Sequence, residues 1–87
     1  MTEAIRYRTP GAHSQVHHGI LVKETKSRLY VILIESGMHM RKVPRGEEKF
    51  IDVLPGHKIK TVKRQLRQFA KSHKIKLSKE VREALMA

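Results

Sequence analysis

Apolar and polar residues alternate with a period of two through the first two thirds of the chain. In "AIRYR", Ile5 and Tyr7 fall on one side and Arg6 and Arg8 on the other, the pattern of a short strand with one face turned to a core. The stretch "QVHHGILVKETKSRLYVILIES" predicts two strands joined at the polar turn Glu24-Thr25-Lys26-Ser27. In the second of these, "LYVILI" has no polar member, so it is expected to be buried on both faces or central. Ser36-Gly37 is the next expected turn, "MHMRKV" alternates, Pro44 to Glu48 is expected as a polar loop, and "KFIDVL" as a last strand stopped by Pro55-Gly56. Five short strands with tight turns predict a small antiparallel barrel.

After Pro55-Gly56 the period changes. Ile59, Val62, Leu66, Phe69 and Ala70 follow the spacing of a helix with one buried stripe, while Lys60, Arg64, Arg67 and Lys71 cluster on the far side. Ser78 is an expected N-cap for a short final helix, with Glu80 in its first turn, Val81, Ala84 and Leu85 as its apolar face, and Leu77 as a tether. The prediction is an α+β chain forming a single domain over 1–87: a barrel over 1–55, a basic amphipathic helix over 57–74 and a short C-terminal helix over 78–86. Leu29, Val31, Leu33 and Phe50 are expected to share one core with Leu66 and Phe69, since 87 residues suffice for only one.

Composition narrows the class. Hydrophobic residues at 39% and charged residues at 31% are a globular balance rather than a disordered one. Without cysteine there is no disulfide and no thiolate metal site, which predicts a reducing, cytoplasmic setting. The longest apolar run, Leu29 to Ile34, is too short to span a bilayer, and "MTEAIRYR" lacks a signal-peptide core.

The net charge of +11 is distributed unevenly. Residues 1–56 hold nine Lys/Arg against six acids, residues 77–87 two of each, and residues 57–76 eight Lys/Arg and no acid. A solubilising helix face usually mixes Glu with Lys, because each i,i+4 ion pair gains about 0.2–0.5 kcal/mol and each like-charged pair costs as much. Here Lys60/Arg64, Lys63/Arg67 and Arg67/Lys71 are like-charged at that spacing, and Lys58 and Lys60 stand at the helix's positive end. The helix is locally weakened by these charges, which points to a polyanionic partner.

The pattern "GILVKETKSRLYVILIESGMHMRKVPRGEEKFIDVL", with a Gly before the first strand pair, a turn after Ser36 and a "KVP" strand end, resembles SH3-like small barrels of the KOW and Tudor types. The resemblance implies an SH3-like barrel serving as a binding module for nucleic acid, ribosomes or polymerases rather than an enzyme. Only Tyr7, Tyr30 and Phe50 are available for the aromatic cage of a Tudor-type reader, which argues against methyl-lysine recognition.

No nucleophile elbow, Gly-rich phosphate loop or paired-carboxylate motif occurs, so no catalytic residue is assigned and no enzyme is expected. His13, His17 and His18 lack a neighbouring carboxylate or cysteine and read as solvated or phosphate-contacting histidines. Neither a metal nor a cofactor is expected. The expected function is binding of nucleic acid by its phosphate backbone, with affinity from counterion release. Arg64 and Arg67 are the candidates for bidentate contacts and Lys60, Lys63, Lys71 and Lys74 for point charges, with Arg6, Arg8, Arg41, Lys42 and Arg45 extending the patch if their strands face the same way. Few aromatics weigh against a single-strand binder and toward duplex DNA or structured RNA. The competing expectation is a regulator or inhibitor of the phage or mobile-element type that docks the same face on an acidic surface of a host nucleic-acid-processing protein. A membrane-surface helix is excluded because the apolar stripe is needed for the core.

Overall fold

A computed structural model of the chain describes residues 2–9, 11–13, 15–34 and 38–86. The protein is α+β, a five-stranded antiparallel sheet carrying two helices. The strands are β1 (Glu3–Arg8), β2 (Val16–Glu24), β3 (Arg28–Leu33), β4 (Arg41–Pro44) and β5 (Ile51–Val53), followed by α1 (Ile59–Ser72) and α2 (Lys79–Met86). The sheet order is β4-β3-β2-β1-β5: four strands meander and the fifth returns to pair with the first. The turn expected at Ser36-Gly37 lies outside the described residues.

The turn between β2 and β3 forms where the polar residues place it, closed by Thr25 N–H donating to the Arg28 carbonyl at 2.8 Å. The segment expected as a polar loop and the start of a strand instead winds into a 3-10 turn over Arg45–Phe50. This leaves β5 only three residues, which pair with β1 alone. The expected barrel is therefore corrected to an open sheet, with β4 and β5 at its two ends sharing no ladder.

The single expected core is also corrected. Period-two alternation sends Ala4, Ile20 and Ile32 to one face, where they pack with Val62, Leu66 and Ala70 of α1 and Val81 and Leu85 of α2. It sends Ile5, Tyr7, Leu21, Leu29, Val31, Leu33 and Val43 to the other face, where they form a cluster of their own. Strand β3 is thus buried on both faces. Phe50 joins neither cluster; it is half-buried at the end of the 3-10 turn, with the Lys49 ammonium 5.4 Å above its ring.

Curvature lets the second face bury itself. In a flat sheet β4 and β1, three strands apart, would lie roughly 14 Å from each other. Yet Val43 of β4 packs in one cluster with Ile5 and Tyr7 of β1, and the Arg41 guanidinium sits 5.2 Å from the Tyr7 ring centre. A register shift between Leu21 and Lys23 bends β2, as an inserted residue does. Gly19, two positions earlier, lets the backbones of β2 and β3 approach closely.

The start of α2 is capped as its sequence predicts, whereas the end of α1, at Ser72, lacks the usual glycine signal. The α2 cap is the expected one, Val81 N–H donating to Ser78 Oγ at 3.3 Å. At the far end of α1, Ile75 N–H donates to the Ala70 carbonyl and Lys74 N–H to the Lys71 carbonyl, a Schellman arrangement. Its left-handed position, usually glycine, is held by Lys74 at φ 53°. Lys74→Gly is expected to stabilise the protein by about 1 kcal/mol, read as a raised urea midpoint. A lowered midpoint would mean that the lysine side chain contributes to folding.

Candidate nucleic-acid interface

Helix α1 begins without help at its N-terminus. Lys58 occupies the capping position with no side-chain hydrogen bond, and no acid lies in the first turn. Cations therefore stand at the positive end of the dipole with nothing to offset them locally. Val62, Leu66 and Ala70 are buried, with Ile59 and Phe69 half-buried beside them, so one stripe fixes the rotation of the helix on the sheet. Lys60, Arg64, Arg67 and Lys71 are all exposed and Lys63 is half-buried.

These five cations do not share one role. Arg67 donates from Nη1 to the Leu85 carbonyl at 3.0 Å, tying α1 to the C-terminal end of α2. By contrast, Lys60, Arg64 and Lys71 meet no acidic side chain among the described residues. An open cleft of about 480 Å³ runs between α1 and the end of α2. Ile59, Leu85 and Met86 supply its apolar lining, and Lys60, Lys63, Arg64 and Arg67 its charged rim. Met86 is 74% exposed there. Lys74 follows at the helix end, where carbonyls favour a cation.

The strand cations are dispersed. Arg6 and Arg8 share the helix-bearing side of β1, and Arg6 Nη2 lies 3.3 Å from Asp52 Oδ2 in an exposed pair of the kind that contributes little to stability. Arg41 lies over Tyr7 on the opposite, concave side, while its neighbour Lys42 points away from it. Arg45 is turned inward: Nε and Nη2 donate to the Thr25 carbonyl at 3.0 and 2.7 Å, and Nη1 meets Glu24 at 3.1 Å and Glu48 at 3.3 Å. It fastens the 3-10 turn to the β2–β3 turn. Arg6 and Arg8 thus border the face that carries α1; Arg41 and Arg45 do not.

A second cleft, of about 270 Å³, lies on the other flank of α1. His18 of β2, Lys58, Thr61 and Gln65 rim it over Leu54 and Val62. His18 sits opposite Arg6 in the β1–β2 register. Sequence reading did not assign Lys58, Thr61, Gln65 or Gln68 to a site; the signal was the helical spacing of Thr61, Arg64 and Gln68, three and four residues apart. His73 stacks on Phe69 at 4.0 Å between ring centres and, with Nδ1 3.0 Å from the Phe69 carbonyl, donates back to the helix end. Among the described residues no group of three or more His, Asp or Glu is placed to hold a metal ion, and no helix is long and apolar enough to cross a membrane. Comparison with protein-family models, with curated proteins and with solved structures finds no match to the chain.

Proposed function

We propose that the protein binds nucleic acid, duplex DNA or structured RNA, by contacting the phosphate backbone through α1. The observation that carries this reading is the run of Lys60, Arg64 and Lys71, exposed and without an acidic partner among the described residues, on a helix that holds no acid at all. Phosphates relieve the mutual repulsion of these cations and release condensed counterions in return. The role is that of a cytoplasmic binding module rather than an enzyme. The related reading of the fold is an SH3-like sheet with its seam left open, supported by the meander of β1 to β4 and the return of β5 to β1.

The second reading, a regulator of the phage or mobile-element type seated on an acidic protein surface, is favoured by one feature. Met86 stands exposed beside Lys60, Lys63, Arg64 and Arg67, and an exposed apolar side chain suits a protein partner better than a phosphate backbone.

Titration against duplex DNA, single strands and structured RNA over a salt series separates the two. Lys60→Gln, Arg64→Gln and Lys71→Gln combined should leave melting unchanged or slightly raised, since the Lys60/Arg64 repulsion disappears. The same variant should weaken nucleic-acid binding and reduce the slope of log affinity against log salt by roughly one unit for each phosphate no longer neutralised. Arg67 is kept because its bond to the Leu85 carbonyl holds α2. A folded triple variant with unchanged affinity and slope would overturn the nucleic-acid reading, and absence of any binding at ~50 mM salt would put the protein partner in its place.

A further inference from the structure

The outermost line of α1 is not its most cationic one. At about 100° per residue, Arg64 and Gln68 each lie about 160° from the buried Leu66, one on either side, so they flank the line that points straight away from the sheet. Thr61 and Lys71 extend the same ridge at helical spacing, and all four residues are exposed. The side chains of Thr61 and Gln68 have no hydrogen-bond partner among the described residues. Phosphate binding alone gives no reason for a neutral amide at the crest of a helix otherwise rich in Lys and Arg.

The two flanks of the ridge both carry cations. Toward α2 stand Lys60 and Lys63; toward β2, around the smaller cleft, stand Lys58 and His18, with Arg6 beside His18 in register. A ridge with charge on either side matches a groove with a phosphate wall on either side. The major groove of B-form DNA is about 12 Å wide and admits one helix, whereas that of A-form RNA is too deep and narrow for side chains to read.

Resting on the nucleic-acid reading above, we propose that α1 enters the major groove of duplex DNA with Arg64 and Gln68 reading base edges while Lys60, Lys63 and Lys58 hold the two backbones. The chemistry is specific. A guanidinium fork pairs with guanine O6 and N7, and a glutamine amide pairs with adenine N6 and N7. Four residues of helix rise span about 6 Å, roughly two base steps, so the protein prefers duplexes with a guanine and an adenine about two steps apart. Arg6 joins one wall by exchanging its exposed Asp52 partner for a phosphate.

Selection of the wild-type protein on a pool of random-sequence DNA duplexes tests this. The expected result is enrichment of a short site containing that guanine and adenine. Gln68→Ala should then bind the enriched duplex about ten-fold or more weakly while binding an unrelated duplex as the wild type does, with the same salt slope. Lys60→Gln should weaken both duplexes alike. Gln68 is exposed and alanine is the better helix former, so the variant should melt no lower than wild type. Duplex binding without any enriched sequence, an enriched site indifferent to Gln68→Ala, or a preference for structured RNA would each overturn the groove-reading proposal and leave phosphate binding intact. Failure to bind any nucleic acid would overturn both.

Discussion

A Gly19→Ala variant should melt roughly 10–25 °C below the wild type, because a single methyl group cannot be placed between β2 and β3. A Cβ on Gly19 would collide with the backbone carbonyl oxygen of Ile32 and lie 2.9 Å from both Cα and Cδ2 of Leu33. Two of these obstacles are backbone, so rotamer changes give no relief. Gly19 pairs with Leu33 on one side and Ile5 on the other, and moving it disturbs both ladders of the central strand. The cost should be roughly 3 kcal/mol, at the upper end for overpacking, against a total stability of order 5–15 kcal/mol. Thermal melting followed by circular dichroism checks it. A variant melting within a few degrees of wild type would show that β2 and β3 separate easily here and that their close approach does not set the curvature of the sheet.

That curvature explains why some of the fold was legible in the sequence and some was not. Local periodicity reports which residues share a face, and it located the strands and the apolar stripe of α1, while turn and capping residue types located the Glu24–Ser27 turn and the Ser78 cap. It also marked "LYVILI" as doubly buried. Periodicity does not report what covers a face. Leu33 and Leu66 look equally core-like along the chain, yet they lie on opposite sides of the sheet because α1 packs on the face of Ala4, Ile20 and Ile32 while alternation sends Leu33 to the other face. The 3-10 turn was missed for a related reason. "RGEEKF" carries no hydrophobic period, so nothing local distinguishes a loop from a tight helical turn, and the length of β5 depended on that choice.

The same limit applies to the interface. Helical spacing grouped Arg67 with Lys60, Arg64 and Lys71, but whether a guanidinium is available depends on where a carbonyl 18 residues away comes to rest, as that of Leu85 does. Arg45 is the clearer case. Thr25 and Glu24 draw it toward the β2–β3 turn, and these two partners are set by tertiary structure, whereas Glu48 is a local partner three residues on in its own 3-10 turn. Arg64 and Lys71 kept their sequence-assigned exposure because their surroundings are those of the helix itself.

The groove-reading geometry requires α1 to be locked in rotation, and Leu66→Ala tests the lock. Leu66 is fully buried at the middle of the helix, in the cluster where Ile20 and Ile32 of the sheet meet Val81 and Leu85 of α2. Truncation removes apolar surface from the core and leaves a cavity where three elements join, which should cost roughly 2–5 kcal/mol. Alanine has at least leucine's helix propensity, so the loss reports packing and not a weakened helix. Urea denaturation should show a midpoint well below wild type, with a slope that stays unchanged if unfolding remains all-or-none. A cost under about 1 kcal/mol would mean that the stripe of Val62, Leu66 and Ala70 does not hold α1 against the sheet. Arg64 and Gln68 would then have no fixed outward direction, and charge alone, without rotation, would govern what the helix binds.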